Sequence, residues 1–283
     1  MKYFWDTITS IAYWRYVLLS RSGMQAILSI FGAIWLIIEM LDFFKVYTQD
    51  DYGKYGIFVI LIISGILAII LKRPIASIEV RFPEHDCCLE VRIGDLFDAT
   101  GAVVISSNTV FESDVANGKI DPKSLQGQFV AKYFPGNQNQ LIEKIEESLA
   151  NTGEPPYPLG TVVPITTHGK TFYLLAMSEL NNQGNARSTP EGVDQALRGL
   201  WRYIRDSGAL QELAVPVIGT ERGRLNISRK KMIERIAQSF ADALREGKFT
   251  DRLVIVVHPN DASRFKVNLY DINDHLSHTL ERS

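Results

Sequence analysis

Two long apolar runs early in the chain, residues 24–41 (MQAILSIFGAIWLIIEML) and 56–71 (GIFVILIISGILAIIL), constrain the fold more than any other feature. A helix of such residues has no polar face to turn toward water, so protein or lipid must cover it. The first run reaches most of the way across a bilayer core of about 30 Å at about 1.5 Å per residue. The second is slightly short, but Tyr52 and Tyr55 before it and Lys72 and Arg73 after it can anchor its ends among headgroups. Two such helices back to back predict a transmembrane hairpin over residues 22–73 rather than a pair of buried core helices. Gln25 and Glu39 lie near the ends of the first run, where a carboxylate can snorkel to the interface. Small residues in both runs (Ser29, Gly32 and Ala33; Ser64, Gly65 and Ala68) permit close helix packing or homo-oligomers.

Flanking charge sets the orientation. Lys2, Arg15 and Arg21 precede the first run and Lys72 and Arg73 follow the second, whereas the connector mixes Lys45 and Lys54 with Asp42, Asp50 and Asp51. A multi-pass protein of the plasma (inner) membrane with both termini cytoplasmic is therefore expected. Residues 1–21 interleave Tyr3, Phe4, Trp5, Tyr13, Trp14 and Tyr16 with basic residues, the pattern of an interfacial segment in contact with the lipid bilayer. No small-residue cleavage site intervenes, so a cleaved signal peptide is not expected.

Beyond Lys72 the composition becomes that of an ordinary globular domain. The net charge of −2 over 283 residues gives no basic bias toward nucleic acid. Cys87 and Cys88 are adjacent, a spacing suited neither to an ordinary disulfide nor to a metal site, and read as strand residues in a reducing compartment. His168, His275 and His278 show no metal spacing.

Pro74 breaks any continuous helix, and from Ser77 the pattern alternates: Ile78, Val80 and Phe82, then Leu89, Val91 and Ile93. Strand and helix signals then succeed one another. Residues 102–106 read as a buried strand, Asp121 and Pro122 as a helix opening, and Leu141, Ile142, Ile145 and Leu149 as one helix face. Strands follow near 161–165 and 172–177, then a helix from Ser188, Thr189 and Pro190 that ends at Gly208. Residues 253–257 form a last strand. The order predicts an α/β fold, a three-layer α/β/α sandwich with a mixed sheet, spanning 77–283. Ligands of open α/β sheets bind beyond the carboxyl ends of the strands, so the loops after Ile105, Met177, Ile218 and Val257 should share a rim.

Residues 213–225, LAVPVIGTERGRL, carry the clearest binding signal: a β-branched strand breaking into a loop bracketed by Gly219 and Gly223. Glycines let successive amides face one concavity and hold an anion, and Ser228 can cap a helix whose positive end points the same way. Arg222 and Arg224 can add charge-assisted donors to a pyrophosphate. The competing reading of such a stretch is a turn and nothing more.

Gly94-Asp95 after a strand, VVISSN ending at Asn108, a Gly-containing turn into a helix, and PVIGTERGR together resemble a macro domain, the ADP-ribose-binding α/β fold, over residues 77–283. The resemblance implies that Asp95 accepts a hydrogen bond from the adenine amino group and that Asn108 lies near the distal ribose. It also implies that two loops wrap the diphosphate, and Gly219, Thr220, Glu221, Arg222, Gly223 and Arg224 fit the second. The first departs from the consecutive glycines of hydrolytic members: it reads Ser124, Leu125, Gln126, Gly127 and Gln128, leaving amides at a helix start, the Ser124 hydroxyl and the Gln126 amide as phosphate donors. His258 and Phe265, after the last strand, are candidates for stacking at the adenosine end.

Apolar runs followed by a divergent macro domain resemble the membrane effectors of type II Thoeris antiphage systems. In that family a TIR-domain enzyme makes an ADP-ribose-derived signal, the macro domain senses it, and the membrane part impairs the cell in abortive infection. The resemblance implies a non-enzymatic sensor without catalytic residues, metal or cofactor, whose ligand is an ADP-ribose derivative. The alternative reading is a membrane-tethered ADP-ribosyl hydrolase.

Overall fold

The structure, a computed structural model, describes residues 5, 7–9, 11–44, 53–72, 75–115, 117–181, 186–208, 210–218, 225 and 227–280. It divides into two compact units, residues 1–75 with 268–271 and residues 76–267 with 272–283.

In the first unit α1 (Ile11–Leu19) turns at Ser20 into α2 (Arg21–Phe43), and α3 (Gly53–Leu71) follows. Ser20 caps α2 by accepting from the Gly23 amide at 2.9 Å. The turn is so tight that a Cβ on Gly23 would lie 2.0 Å from the Val17 carbonyl oxygen. Tyr13, Val17, Ile60, Ser64 and Ala68 are buried, and Ser64 donates to the Ile60 carbonyl at 2.7 Å. Most other large side chains of α2 and α3, Leu28, Trp35, Leu36, Phe58, Ile62 and Ile66 among them, face outward. Glu39 is exposed one turn before α2 ends.

The expectation of two spans is met by one. Residues Gly23–Phe43, with mean hydropathy 2.0, are long and apolar enough to cross a membrane by length and composition. The apolar part of α3, Gly56–Leu71, falls short of the ~20 residues a span requires. The connector 45–52, most of residues 1–10, and Arg73 and Pro74 lie outside the described residues.

The second unit is an eight-stranded mixed sheet in the order β1 (Ser77–Phe82), β2 (Cys87–Ile93), β8 (Thr250–Val257), β7 (Leu210–Pro216), β3 (Ala102–Asn108), β5 (Lys170–Leu180), β4 (Val162–Thr167), with β6 (Ala186–Arg187) on β5. β2, β8, β7, β3 and β5 are mutually parallel, whereas β1 and β4 flank them antiparallel. The carboxyl ends of five strands therefore gather on one rim, the four that the sequence predicted and one more. Among them is β2, which delivers Asp95.

One face packs on α4 (Leu125–Tyr133) and α5 (Gln138–Leu149) through Val103, Ile105, Leu174 and Ala176 against Phe129, Leu141 and Ile145. Phe129 sits 4.8 Å from Phe172 and 5.6 Å from Tyr133. Ile142, expected on the buried face of α5, is exposed. The other face buries Val104, Leu213, Val215, Leu253 and Ile255 and carries α6 (Pro190–Ser207) and α7 (Arg229–Leu244). There Tyr203 meets Tyr173 of β5, and Phe240 meets Phe82 of β1 and Trp201 of α6. Thr189 and Ser228 cap α6 and α7 as their sequences predict. Two further helices, α8 (Pro259–Arg264) and α9 (Leu269–Leu280), close the chain.

Toward β1 the first face has no such apolar packing and carries an ion network. Glu79 and Glu90 stand directly opposite across β1 and β2, a like-charge pairing that is tolerated because arginines bracket both. Arg92 forks onto Glu90 at 2.7 and 2.8 Å, Arg252 donates to Glu90 at 3.0 Å, and Arg81 donates to Glu79 at 2.9 Å. The Arg92 hydrogen bond holds the Glu90 carboxyl below its ordinary range against the opposing effect of burial. Cys87 and Cys88 are free thiols on β2, and burial pushes Cys87 up to about 11.

Candidate functional site

The rim is assembled from strand ends. The Gly94 amide donates to the Val257 carbonyl at 3.0 Å, so Asp95 and His258 leave adjacent strands side by side. Asp95 caps the short 3-10 turn Leu96–Asp98 through Oδ1, which accepts from the Phe97 amide at 2.9 Å; its other carboxylate oxygen has no partner among the described residues, and the residue is exposed. The turn-cap role and a remaining acceptor thus coexist in one carboxylate. His258 faces solvent and caps α8, its Nδ1 accepting from the Asn260 amide at 3.3 Å. The ring expected to stack at the adenosine end is engaged as a helix cap.

At the other end of the rim the ladder between β3 and β5 shifts register between Ser107 and Asn108, a bulge of the kind that re-aims a side chain beside a site. Asn108 is buried, and its Oδ1 accepts from the amides of Val110 and Glu112, each at 3.1 Å. Its carboxamide holds the loop that follows.

That loop, residues 109–124, leads into the first phosphate stretch of the sequence reading, Ser124 to Gln128, and satisfies much of its backbone with its own side chains. Phe111 adopts a left-handed conformation (φ 50°) while buried against Tyr157, a strained placement that only a well-determined surrounding sustains. Glu112 Oε1 accepts from the amides of Ser113 and Asp114, both at 3.1 Å, and Oε2 pairs with Lys119 at 2.9 Å. Asp114 accepts from Asn117, and the Ile120 amide donates to the Asp114 carbonyl at 3.0 Å. A segment of this length away from the ladder must find internal partners for its backbone, and acidic side chains supply them.

The same demand corrects two expectations. The helix opens at Leu125, not at Asp121 and Pro122, because Asp121 closes a turn by accepting from the Lys123 and Ser124 amides. Ser124 is the cap: its hydroxyl accepts from the Gly127 amide at 3.0 Å and donates to the Asp121 carbonyl at 2.6 Å. Gln126 is buried and donates through Nε2 to the Glu112 carbonyl at 2.6 Å. Both side chains proposed as phosphate donors turn inward to hold the loop on the helix. Gly127 serves the same junction, since a Cβ there would lie 2.2 Å from the Asp121 carbonyl oxygen. The donors left at this end are the Leu125 and Gln126 amides of the first turn, which have no protein acceptor among the described residues.

Gly219, Thr220, Glu221, Arg222, Gly223 and Arg224 lie outside the described residues. β7 delivers the chain to Ile218, and α7 resumes it behind the Ser228 cap. Two residues here gave no binding signal in sequence. Glu112 organises the first loop, and Arg229, the first residue of α7, is buried with its guanidinium 3.9 Å from the centre of the Phe265 ring. Among the described residues no group of three or more His, Cys, Asp or Glu side chains is placed to hold a metal ion.

The profile of the Thoeris protein ThsA macro domain matches residues 89–258, more than half of the chain. The chain belongs to this family. The Thoeris protein ThsA of Bacillus amyloliquefaciens (strain Y2) is 20% identical over 274 residues, covering 90% of this chain and 88% of that protein. Among solved structures, an Oceanobacillus iheyensis macrodomain variant with ADPR superposes with a TM-score of 0.51 at 19% identity, covering 70% of this chain and 100% of that one. A second variant of the same macrodomain gives 0.52 at 17% identity, covering 74% and 95%. The macro-domain fold read from Gly94-Asp95, Asn108 and the stretch after β7 is thus the fold of the ThsA-type domain.

Proposed function

We propose that this ThsA-type protein is a sensor and effector whose macro domain binds an ADP-ribose-derived signal along the rim and whose N-terminal helices act on the bilayer. The observation that carries the reading is that Asp95 and Asn108 stand at the carboxyl ends of parallel strands of one sheet, while Gln126 ties the first turn of α4, with its open amides, to the loop after Asn108. The glycine-bounded run 219–224 follows the adjoining strand β7 in sequence. In this reading Asp95 takes the adenine amino group through its unengaged oxygen. Asn108 sets the loop beside the distal ribose. The Leu125 and Gln126 amides, with Gly219 to Arg224, hold the diphosphate.

The domain is read as a binder rather than a hydrolase. Glu112, an acidic group of the first loop, is already engaged by two amides and Lys119, which leaves it poorly suited to activate a water. The outward apolar surface of α2, which is long enough to span, supports residence in the membrane. A ligand favouring one conformation or oligomer shifts the population toward it by its differential affinity. Signal binding would thus drive homo-oligomers that disrupt the membrane in abortive infection, with a TIR-domain enzyme as the source of the signal. Thermal melting and mass spectrometry of the full chain in lipid nanodiscs test this. ADP-ribose should raise the melting temperature and stay chemically intact. No shift would refute the binding role, and release of ADP-ribose from a modified substrate would replace the sensor with a hydrolase.

A further inference from the structure

Among the described residues of the sheet unit, Ile142 and Phe265 are the large apolar side chains left exposed. What lies against Phe265 distinguishes it. Phe265 is 43% exposed as a residue, yet the Arg229 guanidinium carbon sits 3.9 Å from its ring centroid, and Arg229 itself is 5% exposed. Arg229 Nη2 donates to Asp261 Oδ2 at 3.1 Å, and the Phe265 amide donates to the Asp261 carbonyl at 2.9 Å. One aspartate thus ties down both the cation and the residue whose ring it touches.

The placement is unfavourable on local grounds. Arg229 is the first residue of α7, where the positive helix end opposes a cation, and it is buried, where a charge needs compensation. Asp261 and the ring face supply that compensation. An ordinary α7 cap would need none of it. The cluster also has a defined location: α7 follows β7, α8 follows β8, and these strands are parallel neighbours whose carboxyl ends lie on the rim, next to the β2 end that carries Asp95. Phe265, held by the Arg229 guanidinium at 3.9 Å with the more distant Arg264 guanidinium at 5.2 Å, remains exposed enough to offer a stacking surface there.

We propose that Arg229 is a positioning residue for the purine end of the ligand: its buried guanidinium, fixed by Asp261, holds the Phe265 ring as a platform on which the base stacks. The inference rests on the nucleotide-binding reading above and adds a residue outside both phosphate loops. Lysine replaces arginine only in part in this role, because an ammonium keeps the charge but lacks the planar surface that lies along the ring.

The test uses the full chain in detergent, with ADP-ribose and with ribose 5-phosphate, which lacks the base, both followed by calorimetry. R229M and F265L should each weaken ADP-ribose about tenfold, R229K should fall between them and the wild type, and ribose 5-phosphate should change less than twofold. The R229M/F265L double variant should be no weaker than either single one, because both act through one ring. Additive losses, equal losses for both ligands, or unchanged affinity would overturn the assignment. Fluorine NMR of protein carrying 4-fluorophenylalanine, with the Phe265 signal identified by its loss in F265L, reads the ring without ligand. The signal should shift and broaden in R229M and, if that variant folds poorly, in D261N. An unmoved signal refutes the positioning role. A signal that moves in a protein binding neither ligand refutes the nucleotide reading alone.

Discussion

At the β3 end of the rim, backbone amides are claimed by the chain's own side chains; at the β8 end, an aromatic ring is left in solvent against a buried guanidinium. Glu112 takes the amides of Ser113 and Asp114, Asn108 takes those of Val110 and Glu112, and Ser124 takes that of Gly127. Phe265 presents its ring at the other end, with Asp95 on a nearby strand end holding one carboxylate oxygen unengaged. A loop whose donors are already satisfied gains little by rearranging around a phosphate, since each new bond replaces an old one. The contrast teaches that affinity should be concentrated at the adenosine end and in the stretch after β7, with the first loop acting as a fixed wall.

The largest effect should come from breaking the wall at its hinge. G127V drives a side chain into the Asp121 carbonyl oxygen and Pro122, and should cost about 3 kcal/mol in denaturant unfolding, because two backbones rather than a flexible side chain must part. E90Q is the control distant from both ends. It should lower stability by about 2 kcal/mol through the loss of charge-assisted bonds from Arg92 and Arg252, with ADP-ribose affinity unchanged once folded. Its pH dependence has a defined sign. The Glu90 carboxyl is held below its ordinary value of 4.5, so its stabilisation is complete above that value and is lost as pH falls below it toward the depressed value. The gap between wild type and E90Q should therefore close on acidification below about pH 4.5, and a gap that widened there would exclude the ion network as its cause.

Smaller effects sharpen the contrast. E112A should remove about 1.5 kcal/mol and speed hydrogen exchange at residues 113 and 114, where the carboxylate protects the amides; unchanged exchange would mean that the wall does not depend on Glu112. D95A should weaken ADP-ribose about tenfold, roughly 1.4 kcal/mol, while leaving ribose 5-phosphate alone. An equal loss for both ligands would move Asp95 away from the adenine.

Much of this arrangement could be read from the sequence where local chemistry decides it. The alternation at Ile78, Val80 and Phe82 and the Thr189 and Ser228 caps follow from side-chain period and capping rules that act over a few residues, and the rim of parallel strand ends from the succession of strands and helices. The first loop could not be read that way. Ser124 and Gln126 look like donors for a phosphate, but the backbone of residues 109–124 has to be satisfied first, and the nearest side chains satisfy it. Arg229 and Phe265 are far apart in sequence, and only the parallel packing of β7 and β8 brings their elements together. The two apolar runs were equally visible in composition, yet length separates them, and Gly23–Phe43 alone among the described residues is long enough to span.

Titration calorimetry of ADP-ribose into the full chain in nanodiscs, wild type beside G219V and G223V, tests the central claim most directly. The wild type should bind saturably at one site per chain, and each variant should keep its melting temperature while losing binding, because a valine at either glycine blocks the close backbone approach a diphosphate needs. A wild type that takes up no ADP-ribose, or folded variants that bind it as well as the wild type, would contradict the account.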